Sequence, residues 1–183
     1  MSNKYKFKNP DGIYFISPTV VDWVDVFIRT IYKEILLDSI RYCQREKGLV
    51  VHAWVIMSSH FHMIVSRKSD TLLEEILRDM KKFTSFKLLQ AIKENGSESR
   101  QEWMLKLFSQ HGGKNSNNSK FQFWQQDNHP VELSTNEMMD QRLDYIHNNP
   151  VEAGYVEFPE EYLYSSARDY CGRKGLLDVQ LLE

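Results

Sequence analysis

Two histidines separated by a single phenylalanine, His60-Phe61-His62, form the most concentrated group of chemically active side chains in this chain. They stand at the start of a strand-like run, and side chains two apart on a strand share a face. The imidazoles would therefore lie side by side while Phe61 turns toward the opposite layer. Two neutral imidazoles at that spacing can chelate one divalent cation. The alternative is structural, with one histidine satisfied in the core and the other closing a hairpin, so the pair needs a third partner to acquire meaning.

A partner is available in Asp144-Tyr145-Ile146-His147-Asn148-Asn149-Pro150. Tyr145 and Asn149 are four residues apart, one helical turn, and project from the same side of a helix whose Met139, Leu143 and Ile146 form the packing stripe. A tyrosine phenol titrates at about 10. Its attack on phosphorus at neutral pH needs a base or a cation beside it, and His60, His62 and the Asn149 oxygen could hold that cation. The plainer possibility is a half-buried aromatic followed by an asparagine capping the turn into Pro150.

The elements that must bring these residues together follow from periodicity and punctuation. β-Branched and aromatic residues over 12–21 predict a strand, with Pro18 at its edge or bend. Phe27, Ile31, Ile35, Leu36, Ile40 and Cys43 recur at helical spacing up to a stop at Gly48. Residues 49–57 and 61–65 read as a hairpin around Ser58-Ser59-His60, expected in the sheet interior. A second helix starts after Asp70-Thr71 and runs to Asn95-Gly96 on an inner stripe of Leu73, Ile76, Leu77, Met80, Phe83, Leu88 and Ile92. A short helix over 98–110 precedes a polar, flexible loop over 111–120, then comes a strand-like stretch within 121–133. Ser134 with Glu137 offers a capping box for a last helix ending near Asn149-Pro150. This order predicts an α+β fold, a ferredoxin-like antiparallel sheet packed by helices. One domain is expected, with its core at about residues 12–155 and a C-terminal extension at about 156–183.

Composition sets outer limits. The 183 residues are 42% hydrophobic and 26% charged, too apolar for a disordered chain, and no run reaches the ~20 apolar residues of a membrane span. Lacking a signal-like start and carrying two cysteines, Cys43 and Cys171, the chain is expected to be cytoplasmic and free of a disulfide framework. Net charge is −2, but seven acids and three bases follow Pro150, which leaves 20 bases and 18 acids before it.

Residues 53–65, AWVIMSSHFHMIV, resemble the histidine–hydrophobic–histidine strand of the single-tyrosine, insertion-sequence type transposases, and residues 143–154, LDYIHNNPVEAG, resemble the nucleophile helix of their REP-associated branch. Looser similarity lies in 77–85, 123–129 and 164–170, so the likeness spans about residues 12–172. It implies cleavage and joining of single-stranded or hairpin DNA through a covalent 5′-phosphotyrosine, with Tyr145 as nucleophile. It further implies that His60, His62 and Asn149 bind Mg²⁺ or Mn²⁺, Asn149 standing where the wider insertion-sequence relatives carry glutamine. Nitrogen ligands favour manganese over magnesium. Ser59 departs from the asparagine or aspartate that often precedes the first histidine, a difference bearing on hairpin geometry. Relatives differ in whether the tyrosine helix is exchanged across a dimer, so monomer and homodimer, and action in cis or in trans, both stay open.

Arg78, Lys81, Lys82 and Ser85 fall in one sector of the second helix and would offer DNA a short basic stripe, with Lys114 and Lys120 of the polar loop as further phosphate contacts. The same residues equally suit an ordinary solvated face. Phe123, Trp124 and the aromatics of 162–170 could stack on bases or fill the core, and His52 and His129 read as structural. The alternative function is a catalytically silent binder of hairpin DNA or RNA on the same fold. A hydrolytic zinc site lacks an acidic ligand beside the histidine pair.

Overall fold

The computed structural model describes residues 7–113, 120–126 and 130–182. Lys114, His129 and most of the polar loop lie outside them. The elements are β1 (Tyr14–Ile16), α1 (Thr30–Lys47), β2 (Leu49–Ile56), β3 (Phe61–Arg67), α2 (Leu73–Glu94), α3 (Gln101–Gly113), β4 (Val131–Glu132), α4 (Asn136–Glu152) and a last turn, α5 (Ala167–Tyr170). The four strands are antiparallel in the order β2-β3-β1-β4. That is the strand order of the expected ferredoxin-like, α+β arrangement.

Alternation along the strands divides the core into two layers. Phe61, Met63 and Val65 of β3 face the layer filled by α1, α2 and α3, together with Trp54 and Ile56 of β2. Ala53, Val55 and Ile64 face the other layer, with Phe15 and Ile146 of α4. A register shift between Val51 and Ala53 lets Leu49 and Val51 point into the first layer although they are an even number of residues from Ala53. His52 sits at the irregularity, buried, its two ring nitrogens 2.9 Å from the Gln180 carbonyl and 2.8 Å from Ser66 Oγ.

Several elements differ from the sequence expectation for identifiable reasons. Residues 25–29 form a separate short turn, so α1 begins at Thr30, and Ile31 is exposed. It ends where Gly48 adopts φ +70°, at a point where a Cβ would meet Ser69 at 2.6 Å. The N-cap of α2 is Leu72, whose N–H is held by the Glu75 carboxylate at 3.3 Å, rather than Asp70 or Thr71. Phe83 is 49% exposed, and its place in the stripe goes to Thr84, whose hydroxyl donates to the Met80 carbonyl and accepts from Trp124 Nε1. His111, Gly112 and Gly113 complete α3 instead of opening the loop. Thr135, one residue beyond Ser134, caps α4 by accepting from the Met138 N–H. The helix passes through Pro150 to Glu152, and the proline has no N–H to give the Ile146 carbonyl one turn back.

β3 lies inside the sheet, whereas β2 ends the strand order. Its outer edge is covered by the chain's own C-terminal residues. Ile56 N–H donates to the Tyr164 carbonyl, Ser166 N–H to Trp54 and Gln180 N–H to Val51, each at 2.9 Å. A strand edge is thereby satisfied without a fifth strand of the sheet.

Candidate active site

The β2–β3 turn presents the histidine pair. Met57 N–H donates to the His60 carbonyl, Phe61 N–H donates to Pro18, and Thr19 bridges His60, so the start of β3 is gripped from both sides. Because Phe61 enters the α1–α2 layer, His60 and His62 fall on the α4 side. Their ring centroids are 4.7 Å apart, edge to face.

Tyr145 arrives from α4. Ile146 is buried under the helix with Met138, Met139 and Leu143 packed around it, which leaves the adjacent Tyr145 at the rim, 40% exposed. Its hydroxyl lies 3.4 Å from His62 Nε2, and the two rings meet edge-on at 5.1 Å. Phe15 of β1 stacks on His62 at 5.4 Å and meets Tyr145 at 6.0 Å, so it forms the floor of the site. The Arg142 guanidinium, three residues before Tyr145, lies 4.9 Å above the Phe15 ring. The helix is moored two residues beyond the tyrosine. There His147 Nε2 is 2.8 Å from Ser166 Oγ, which in turn accepts from Trp54 N–H at 2.9 Å.

Burial governs the electrostatics. His62 is 4% exposed, and burial, reinforced by His60 and Arg142, holds its imidazolium pKa down at about 3. Burial lowers His60 as well. Both rings are therefore neutral at physiological pH, with nitrogen lone pairs free of competing protons. His60 Nδ1 is 3.2 Å from Ser59 Oγ. His62 Nδ1 is buried with no hydrogen-bond partner among the described residues, an atom that normally demands one.

These observations fit a divalent cation. The two neutral imidazoles could offer it nitrogen donors, and Asn149 stands half-buried one helical turn beyond Tyr145. Among the described residues no group of three or more His, Cys, Asp or Glu could hold a metal.

The basic residues lie elsewhere. α2 packs on the opposite layer from α4. Arg78 is exposed and pairs with Asp79, which also takes Lys47. Lys81 Nζ donates to the Gln125 carbonyl at 2.8 Å, and Gln125 N–H donates to Thr19, the residue that bridges His60. Lys82 and Lys120 are exposed, and Lys114 is outside the described residues. Phe123 and Trp124 are 1% and 5% exposed and fill the core instead of offering stacking faces. Three neighbours of the site were not singled out by sequence: Phe15, Arg142 and Trp23, the last 5.3 Å from the His60 ring. Only Arg142 carried a local signal, its three-residue spacing from Tyr145.

A REP-associated tyrosine transposase solved bound to a REP hairpin has the same fold, with TM-score 0.65 and 18% identity over 100% of this chain and 94% of that one. A candidate transposase from Deinococcus radiodurans aligns at TM-score 0.43 and 17% identity over 81% of this chain and 95% of that one. No curated protein matches. The family model described as "Transposase IS200 like" matches residues 24–120, more than half of the sequence, a stretch that includes the histidine pair and stops short of α4. By that match, carried on the sheet and histidine strand just described, the chain belongs to the IS200-like transposase family.

Proposed function

We propose that the protein is a tyrosine-dependent nickase and strand transferase acting on single-stranded DNA next to a hairpin. The observation that carries the proposal is the 3.4 Å approach of the Tyr145 hydroxyl to His62 Nε2 within one chain, with His60 alongside. In this reading the Tyr145 oxygen attacks a backbone phosphorus and forms the P–O(Tyr) bond. The P–O3′ bond breaks, the phenolic proton is lost, and the departing 3′ oxygen takes up a proton to become a free hydroxyl. The product is a 5′-phosphotyrosine, and attack by another 3′-hydroxyl reverses the chemistry and joins strands. His60, His62 and the Asn149 oxygen would hold Mg²⁺ or Mn²⁺, which when bound polarises the scissile phosphate and eases departure of the 3′ oxygen. Arg142, over the Phe15 ring that floors the site, offers the phosphate a charge-assisted donor.

The preference for a hairpin is supported by the relative solved with a REP hairpin. Arg78, Lys82, Lys114 and Lys120 are proposed as flanking phosphate contacts, and Lys81 as a brace for the strand that carries His60.

Incubating the protein with a hairpin-flanked single-stranded oligonucleotide and Mn²⁺, then separating under denaturing conditions, should yield a covalent protein–DNA adduct. Tyr145→Phe should bind the oligonucleotide as the parent does and form none. An adduct that persists in Tyr145→Phe rejects the nucleophile. Salt-sensitive binding without adduct under any divalent cation would instead establish the silent DNA or RNA binder.

A further inference from the structure

Asp22 and Trp23 are the only non-glycine residues with positive φ among the described residues, at +52° and +56°. Consecutive side chains in the left-handed region are costly, and such strain persists only where the surroundings impose it. They do so here. Val20 N–H donates to Ser59, Val21 N–H to Phe123 and Trp23 N–H to Val20, while the Asp22 carboxylate is 2.8 Å from His111 Nε2 of α3. Yet the side chain delivered by this strained turn is not buried. Trp23 is 59% exposed, the hydrophobic return on its position is small, and among the described residues its ring meets only that of His60, edge to face.

Trp23, His60, His62 and Tyr145 form a row of rings with successive centroid spacings of 5.3, 4.7 and 5.1 Å. The phenol stands at one end, an exposed indole at the other, and the histidine pair lies between. We infer that Trp23 is a positioning residue, a stacking platform for the base of a nucleotide adjoining the scissile phosphate. This rests on the proposed function, because the histidine pair is where that phosphate would sit. A base on the indole would fix the sugar–phosphate relative to Tyr145 without reading sequence, since every base has a stacking face.

The experiment is an abasic scan. Oligonucleotides in which each nucleotide around the cleavage position is replaced in turn by an abasic sugar are titrated against the parent, Trp23→Ala and Trp23→Phe. In the parent, one position should weaken binding by roughly 5- to 100-fold, the range of base–aromatic stacking. In Trp23→Ala that penalty should vanish while penalties elsewhere persist, and Trp23→Phe should recover part of it. A second readout guards against misfolding of the alanine variant. With Trp103→Phe, Trp23 becomes the sole exposed indole, since Trp54 and Trp124 are buried, and its fluorescence should be quenched by the intact oligonucleotide and not by the one abasic at that position. An unchanged abasic profile in Trp23→Ala, or binding without quenching, overturns the inference while adduct formation by the parent leaves the nickase standing. A parent that neither binds nor forms adduct overturns both.

Discussion

Arg142 illustrates how one charge serves two neighbours at this site. Its guanidinium lies over Phe15 and helps keep His62 neutral, since two cations in so small a space repel. In the proposed reaction it also faces a phosphate that gains charge in the transition state. Arg142→Gln should therefore slow adduct formation by about 100-fold, the usual effect of losing one donor to a developing oxyanion, and weaken affinity for uncleaved oligonucleotide far less. Single-turnover rates beside equilibrium titrations separate the two. Loss of affinity equal to loss of rate would make Arg142 a plain phosphate contact. The pairing of His60 with His62 was legible in the sequence because strand parity is a local property. Tyr145 and Asn149 were legible as a helical pair. That Phe15 and Trp23 adjoin them was not, because both contacts arise from segments that become neighbours only when β1 pairs with β3.

At the scale of elements, the corner between α2 and α3 is pinned by a buried acid. The Glu98 side chain is wholly inaccessible, its carboxylate 2.7 Å from Arg29 Nε and 3.0 Å from Arg100 Nε. Arg100 reaches on to the Asp25 carbonyl, and the Asp25 carboxylate accepts from Ser58 in the turn before His60. Burial raises the Glu98 pKa, but hydrogen bonds from Arg100 and Arg29 outweigh it and hold the carboxyl at about 2. A folded pKa below the unfolded value of about 4.3 means that this stabilisation is complete above the unfolded value and disappears as pH falls through about 2. Glu98→Gln should lower unfolding free energy at neutral pH by about 2 kcal/mol, the scale of a hydrogen bond to a charged group, because the arginines it leaves behind are partly exposed to water. Denaturant titrations between pH 5 and 2 should show a shallower decline for the variant, and parallel curves would refute the assignment. Sequence periodicity located α1, α2 and α4 well, but Glu98 read as part of a short helix. Its role depends on Arg29, 69 residues away.

Across the whole molecule, helices cover both faces of the sheet and the returning C-terminal residues cover the outer edge of β2. Unpaired strand edges recruit other strands. Removing residues 173–183 withdraws the Gln180 contact to Val51 and should raise self-association, visible as a concentration-dependent mass in light scattering. Adduct formation should survive, since the truncated segment meets β2 several residues from the turn that holds His60. A mass that stays equal to the parent's at every concentration would show that the segment is dispensable as an edge cover. The antiparallel, helix-packed sheet was readable from the succession of elements, but β2 was expected inside it and lies at its edge, and the cover on that edge was not readable. Tyr164, Ser166 and Gln180 contribute backbone groups, which carry no sequence pattern.

The mooring of α4 has a consequence for traffic through the site. Tyr145 and His147 are two residues apart, and His147 is tied through Ser166 to the backbone of β2. Under the proposed chemistry, a severed strand esterified to Tyr145 is berthed: it cannot be ferried to a distant acceptor while that knot holds. The incoming strand must travel to the captive one, and exchange becomes a matter of sequential visits to a single stationary dock.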